Sequence, residues 1–332
     1  MPKRILITGS IAYDLLLSYE GSFADAIKGG SIDRLSVSFF APHLKRHRGG
    51  TGSNIAWNLR LLGGNPLLVG TVGTDGGEYC ALMEERGIDT SHVERRKDSI
   101  TATAIIGTDN GERQIAFFHP GADSLGTWPA YASEEASVGR PNLNEERDDI
   151  AWAIVGARNP VLMMEAARWC GKAGLALLFD PAQQIIALSA DELRSAIGAS
   201  RGVICNEYEW SVLSERTGMQ AEDILQTAEF LIVTQGDKGV ELYENAKSKN
   251  KKAKIPACRA DQVINPTGAG DAFRAGLLFG LEKKWDLADC CRLGAAMGSF
   301  VVEIEGTLLE GLDIDVVGQR VQQTYGKTLP LL

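Results

Sequence analysis

The chain lacks any Cys-x-x-Cys pair, and its six cysteines, at 80, 170, 205, 258, 290 and 291, are scattered. It also lacks an apolar N-terminal stretch of the secretory kind and any long uncharged apolar run. The expectation is a reduced, soluble, cytoplasmic protein with neither a disulfide framework nor a membrane span. Histidine is scarce, and the four present, at 43, 47, 92 and 119, show no ligand spacing, which removes a His/Cys metal cage. Positive charge is in deficit: 34 Lys and Arg stand against 43 Asp and Glu, a net charge of −9. No nucleic-acid partner is expected from such a balance. There is no Gly-x-x-x-x-Gly-Lys-[Ser/Thr] loop and no His-Arg-Asp with Asp-Phe-Gly, so neither a Walker lysine nor the protein-kinase machinery is present. The stretch Leu6-Ile7-Thr8-Gly9-Ser10-Ile11-Ala12 lacks Gly-x-Gly-x-x-Gly, which argues against a dinucleotide oxidoreductase. No internal repeat or low-complexity tract occurs.

What is present is a long chain with a regular alternation. At 332 residues, 44% hydrophobic and 23% charged, it is long enough for one large α/β domain or for a domain with an accessory lid. Strand-like runs fall at 5–8, 67–71, 154–155, 176–179, 202–205, 230–234 and 239–243. Helical patterns fall at 53–62, 77–86, 160–171, 190–196, 207–217, 221–228, 271–281 and 287–303. Such an alternation predicts a sheet wrapped by helices. Residues 14–20, 32–48 and 100–118 break the pattern with β-type alternation, as in Leu35-Ser36-Val37-Ser38-Phe39-Phe40. Residues 121–150 read as a surface excursion, and 244–254 as an exposed basic hairpin.

One stretch carries chemistry. Val263-Ile264 ends a run of β character, Asn265-Pro266-Thr267-Gly268-Ala269-Gly270 makes a turn, and Asp271-Ala272-Phe273 opens a helix. Gly268 and Gly270 let backbone N–H groups converge on an anion, and the helix start adds partial positive charge. Asp271 among those amides serves two readings equally, a helix cap or a base beside a phosphoryl group.

A second Gly-rich element, His47-Arg48-Gly49-Gly50-Thr51-Gly52-Ser53-Asn54, runs into an amphipathic helix closed by Gly63-Gly64. Gly49-Gly50 with Asn54, and the later Asn265-Pro266-Thr267-Gly268-Ala269-Gly270-Asp271, resemble the two signatures of the ribokinase-like (PfkB) carbohydrate and nucleoside kinases. The order of motifs fits as well: Thr8 to Asp14 first, then the Gly-Gly element, Asn206-Glu207-Tyr208-Glu209 as Asn-x-x-Glu, and Gly-Ala-Gly-Asp last. The resemblance spans essentially the whole chain. It implies a ribokinase-like three-layer α/β/α fold with a mainly parallel sheet and a small β-sheet lid. The large domain would take residues 1–13, 49–99 and 119–332, and the lid 14–48 and 100–118.

It also implies roles. Asp271 would be the catalytic base, and the amides of Gly268, Ala269 and Gly270 the anion hole for a phosphoryl group coming from ATP. Asn206 and Glu209 would lie near the phosphates, Glu209 ordering water around Mg²⁺. Thr234, Gly236, Gly239 and Gly298 would border the nucleotide, although a β-turn and tight helix packing account for the glycines equally well. A K⁺ ion beside the anion hole is a further cofactor of the family, with Asn265 at the position where an Asp is common. The acceptor site would hold Ser10, Asp14, Ser38, Gly50 and Asn54, with carboxylate and amide on a vicinal diol. Ala12 replaces the Asn usual in ribokinases and removes one hydroxyl partner, which suits a nucleoside better than a free pentose. Phe118 could stack on a base, and Gln183 and Gln184 could read its edge; a core aromatic and an exposed loop pair are the plainer readings. The nearest subgroup is the bacterial adenosine kinases, which make AMP from adenosine. Residues 101–105 nevertheless lack the second aromatic such a base site expects. A sugar kinase acting on ribose or fructose, and a nucleotide-binding sensor without turnover, are the alternatives. A homodimer is left open.

Overall fold

The computed structural model describes residues 3–27, 37–131, 141–245 and 251–330. The chain enters on β1 (Arg4–Thr8), where Ile5 and Ile7 face one side of the sheet and Leu6 the other, all essentially buried. A strand buried on both faces needs helices on both faces. β1 is flanked on one side by β4 (Pro66–Val72) and β5 (Asp89–Arg95). On the other side come β8 (Ile150–Val155), β9 (Ala176–Phe179), β10 (Gly202–Asn206), β11 (Phe230–Thr234), β12 (Val240–Glu244) and β13 (Lys251–Ile255). These nine strands form one sheet, in the order β13-β12-β11-β10-β9-β8-β1-β4-β5. It is parallel except around β12, which runs antiparallel to both its neighbours.

Two helical layers cover it. The first contains α2 (Thr51–Leu61), α3 (Gly77–Glu85), α9 (Ala269–Glu282), α10 (Leu287–Val301) and α11 (Ile314–Tyr325), whose buried side chains join Ile5 and Ile7 in one core. The second contains α5 (Pro160–Ala173), α6 (Ala190–Gly198), α7 (Glu207–Thr217) and α8 (Ala221–Ile224), packed with Leu6 in a separate core. The short α1 (Phe23–Ala26) and α4 (Leu143–Glu146) lie in connections. Helix ends follow their caps: Ser189 and Glu192 form a capping box on α6, and Gly174, at φ 67°, stops α5. Among the described residues no helix is long and apolar enough to cross a membrane.

The expected small sheet exists, in the order β3-β2-β6-β7: β2 (Ala12–Ser18), β3 (His43–Gly49), β6 (Ala102–Thr108) and β7 (Gln114–His119). Its first strand begins at Ala12, slightly before the expected boundary at residue 14. Two expectations need correction. The alternation at 37–40 makes no strand, because Phe39 leaves the sheet to pack on Tyr19 and Phe23, with ring centroids 5.1 and 4.9 Å apart. Nor is 121–150 a mere surface excursion: Asp123, Trp128 and Leu143 are buried, and the segment ends in β8. There Asp123 Oδ1 accepts from Arg158 Nη2 at 2.7 Å inside the protein, and an ion pair so buried must be kept. The central parts of the lid loop (28–36), of that excursion (132–140) and of the basic hairpin (246–250) lie outside the described residues.

Helices α9 and α10 touch backbone to backbone: a Cβ on Gly276 would stand 2.8 Å from the Gly294 Cα. In an isolated helix Gly→Ala gains up to ~1 kcal/mol. Here overpacking decides the sign, and Gly276→Ala should cost about 1–3 kcal/mol. Its urea midpoint should fall with the slope unchanged; a midpoint equal to or above wild type would contradict the close contact.

Candidate active site

The chain leaves β1 toward β4 on one side and later returns as β8 on the other, so β1 is where the strand order reverses. In open α/β sheets the crevice at the carboxyl ends of such strands is the binding place. Residues named from sequence collect along that edge: Ser10 follows β1, Asn206 ends β10 and Thr234 ends β11. Ser10 is buried, its carbonyl accepting the Gly52 N–H at 2.9 Å and its hydroxyl the Thr51 N–H at 3.1 Å. Gly50, at φ 99°, fits because a Cβ there would meet the Ser10 carbonyl oxygen at 2.5 Å. Ser10 and Gly50 thus weld the start of α2 to the crossing between large domain and lid.

The centre of the edge is the mouth of α9. Gly268 caps it in the left-handed region, at φ 85°. First-turn amides of a helix lack intrahelical partners; of those proposed as the anion hole, the Ala269 N–H turns back toward the Pro266 carbonyl at 3.3 Å. Asp271 follows in the first turn. Its Oδ2 accepts from Asn54 Nδ2 at 2.7 Å, although 217 residues separate the two. Asn54 is itself buried, and its Oδ1 accepts from the Thr307 hydroxyl at 2.8 Å. Burial pushes the Asp271 carboxyl up to about 6; Arg274 and the Asn54 hydrogen bond oppose the rise, and Asp180 and Asp14 add to it.

Behind Asp271 lies a charge cluster that sequence reasoning missed. Arg274, one helical turn on, is buried and forms a two-point ion pair with fully buried Asp180, Nη2 to Oδ1 at 2.7 Å and Nε to Oδ2. Its Nη1 also donates to the Gly270 carbonyl at 3.0 Å, bracing the turn. The same guanidinium faces Glu209, whose carboxyl is raised by burial and by the Asp180 charge. Asp180 was visible in Phe179-Asp180-Pro181 at a strand end, and Arg274 stood three residues past Asp271. Nothing local joins partners 94 residues apart.

The lid places its residues by register. His47, Asp14, Ala104 and Phe118 are successive neighbours across β3, β2, β6 and β7, so they share one face of the small sheet. Burial raises the Asp14 carboxyl, with His47 opposing. Phe118 is 53% exposed and is therefore no core aromatic. Ser38 lies in exposed coil before β3. Gln183 and Gln184 sit on a 3-10 turn, Ala182–Ile186, directly after Asp180; Gln183 is exposed and Gln184 half-buried.

On the nucleotide side, Asn206 and Glu209 close a reciprocal cap on α7: the Asn206 N–H donates to Glu209 Oε2 at 2.7 Å, the Glu209 N–H to Asn206 Oδ1 at 2.8 Å. Gly236 and Gly239 have positive φ in the turn after β11. Gly298 lies where a Cβ would meet the Ala269 carbonyl oxygen at 3.2 Å, so its missing side chain seats α10 against the mouth of α9. Asn265 Oδ1 accepts the Thr267 N–H at 3.0 Å and so shapes the turn. Among the described residues no three His, Cys, Asp or Glu side chains cluster as a metal site. A Mg²⁺ ion held through water needs fewer protein oxygens, and Glu209 is compatible with that alone.

Over residues 3–313 the chain matches the family described as pfkB family carbohydrate kinase. It is 31% identical over 323 residues to the nucleoside kinase of Methanocaldococcus jannaschii, covering 97% of each chain. The structure of a Burkholderia thailandensis nucleoside kinase in complex with inosine superposes with a TM-score of 0.82 at 31% identity, covering 98% of this chain and 99% of that one. Its complex with ADP-inosine gives 0.80 at 31% identity, over 98% and 97% of the two chains. A probable chloroplastic fructokinase-6 of Arabidopsis thaliana is 25% identical over 291 residues, 81% of this chain and 73% of that protein.

The raised carboxyl of Asp271 has a consequence for stability. The fold favours the protonated form, so whatever wild type gains from this group is present below the ordinary carboxyl value near 3.8 and lost as pH rises through about 6. Asn at this position has the same shape and no charge. Asp271→Asn should therefore melt higher than wild type at pH 7.5, with the advantage fading between pH 6 and pH 4. An advantage that grows on acidification would reverse the sign assigned to this site.

Proposed function

The chain belongs to the pfkB family of carbohydrate kinases, and on that footing we propose that it transfers the γ-phosphoryl group of ATP to the 5′-hydroxyl of a nucleoside, with adenosine as acceptor and AMP as product. The observation carrying this reading is the Asn54–Asp271 contact: a carboxylate with raised proton affinity, held at a helix mouth and facing a lid. A group of pKa about 6 is ionised at neutral pH yet basic enough to take a proton from an attacking hydroxyl. Phosphoryl transfer asks little more of a protein than position and charge. The amides of Gly268 and Gly270 and the helix dipole would receive the transferring group, the Ala269 N–H joining them on release from the Pro266 carbonyl. Arg274 is turned to Asp180 and Gly270, so it braces the turn from behind and is not an arginine finger. Asn206, Glu209, Thr234, Gly236 and Gly239 would border ATP, and Mg²⁺ entering with it would neutralise phosphate charge.

On the acceptor side Asp14, raised by burial, accepts no hydrogen bond from a side chain among the described residues, and the two hydroxyls of a ribose would supply donors. The position of Phe118 in the same row of the lid favours a base lying against it. Gln183 or Gln184 would read the edge of that base. The inosine complex of the Burkholderia thailandensis enzyme supports a nucleoside acceptor and makes inosine the first competitor of adenosine. A sugar kinase is the second reading. It is favoured by Ala104, which leaves the strand beside Phe118 without a second ring, and by the fructokinase relative.

Initial rates with ATP across adenosine, inosine, guanosine, ribose and fructose test the acceptor class. Adenosine should have the highest kcat/KM, and ribose or fructose outrunning every nucleoside would overturn the proposal. Asp271→Asn should lower kcat by ~10²–10⁴-fold while both substrates still bind. More than a tenth of wild-type kcat remaining would remove Asp271 as base. Phe118→Ala should raise the adenosine KM by an amount matching ~1–3 kcal/mol of stacking and leave ribose turnover nearly unchanged. Equal losses on both acceptors, together with a lower melting temperature, would assign Phe118 to packing instead.

A further inference from the structure

After α10 the chain runs from 302 to 310 without regular structure, yet it touches the approach to the Gly268 turn, lid strand β3 and helix α2. The Val302 carbonyl accepts the N–H groups of Ile264 and Asn265, at 2.7 and 3.1 Å, and so holds the approach to the Gly268 turn. Glu305 pairs with Lys45 on β3 at 2.6 Å. The Leu309 carbonyl accepts from Trp57 Nε1 on α2 at 2.7 Å. In the middle lies Thr307, buried, its hydroxyl 2.8 Å from Asn54 Oδ1 and 3.2 Å from the Arg48 carbonyl of β3. Its other side fits beneath the anion turn, where a Cβ on Gly268 would stand 2.9 Å from the Thr307 Cβ.

We infer that Thr307 is a positioning residue, which fixes the direction of the Asn54 amide and thereby ties the lid strand β3 to the orientation of Asp271. The chemistry is that of an amide with two nearly equal ends. Asn54 can hold a carboxylate only with its NH₂ end, and a donor to its oxygen fixes that end toward Asp271 in either protonation state of the acid. Thr307 is that donor, and the hydroxyl, amide and carboxylate form a chain with every group used in its proper sense. The hydroxyl has one hydrogen, and the Arg48 carbonyl at 3.2 Å competes for it with the nearer Asn54 oxygen, which makes the chain sensitive to where β3 lies. Thr307 is assigned no contact with acceptor or ATP; it acts through Asn54.

The inference rests on Asp271 being the base. The test is kinetic, with Thr307→Val, which keeps the shape and removes the donor. Loss of the donor lets the amide turn, and its oxygen can then accept from the protonated Asp271 carboxyl, which favours that form. The expected result is a kcat lower by on the order of ten- to a hundred-fold, an ATP KM within about twofold, and an acid limb of kcat/KM displaced upward by about one pH unit. The other groups facing Asp271 are unchanged in this variant, namely Arg274 on α9, Asp180 after β9 and Asp14 on β2, so the displacement reports on Asn54. Thr307→Ser, which restores a hydroxyl, should recover both rate and pH profile. In an Asn54→Ala background Thr307→Val should add nothing further.

A Thr307→Val enzyme with wild-type kcat and an unmoved acid limb overturns the inference. So does a slowed variant whose melting temperature drops while its pH profile stays, or one whose effect adds in full to Asn54→Ala. If Asp271→Asn stays active, the base assignment falls and takes this inference with it. If Asp271→Asn is inactive while Thr307→Val behaves as wild type, the inference alone fails.

Discussion

A carboxylate at the mouth of a buried helix is an expensive thing to hold, and the Asn54–Asp271 contact is what the surrounding structure is arranged to sustain. Leaving such a group without donors costs ~1–3 kcal/mol or more. Asn54 can supply one only because Ser10 and Gly50 lock the start of α2 beneath the β1–β2 crossing. Asp271 in turn is presented to it because Arg274 braces the Gly270 carbonyl from behind. Moving any of these parts alone would leave a buried polar group unmatched. The two ends of the contact are 217 residues apart, so it is made only by tertiary packing of α2 against α9.

The lid follows from the same constraint. Its four strands leave and re-enter the large domain at the carboxyl edge of the big sheet, and each crossing is pinned there. Asp75, after β4, accepts the Thr101 N–H at 2.7 Å where β6 begins, and takes Arg46 of β3 at 3.1 Å. The Arg158–Asp123 pair holds the return from β7, with Arg158 also bonded to Thr8 and Thr71 at 3.0 Å each. These contacts keep the row of Asp14 and Phe118 facing the catalytic edge. The buried Arg158–Asp123 pair adds a fixed geometry to this crossing, because a desolvated charge pair must have its hydrogen bonds satisfied.

How much of this was legible in the sequence depended on the range of the signal. Short apolar strands and capped helices were: Ala176–Phe179, Phe230–Thr234 and Glu207–Thr217 carry the bounds that periodicity and turn residues predict. β5 was missed because its buried positions include His92 and Glu94, made tolerable by partners on distant elements, and no hydrophobic alternation announces them. α11 buries only Val317 and Val321, too narrow a stripe to stand out. In the site, Asp271 and Asn54 stood out through their Gly-rich surroundings and through the resemblance. Asp180, Arg274 and Thr307 did not, because their meaning lies wholly in pairing across long stretches of chain. Gly298, for which sequence left nucleotide contact and tight helix packing equally open, does lie close to a neighbouring carbonyl. A small residue on a helix says only that something comes close.

The charge balance at the catalytic edge bears on how the proposed reaction would have to run. Asp271, Asp180 and Glu209 all face Arg274, so three carboxyl groups share one buried guanidinium. If all three were ionised, the cluster would carry two net negative charges at the place meant to receive a polyphosphate. Like charges in a desolvated site repel strongly. Two reliefs are open. One is partial protonation, which is the direction in which both Asp271 and Glu209 are pushed. The other is cations brought in with the nucleotide, together with the α9 amides turned toward the anion. On this reading the site would take ATP as its metal complex, because a cation carried with the polyphosphate cancels part of its negative charge and lessens its repulsion from the cluster.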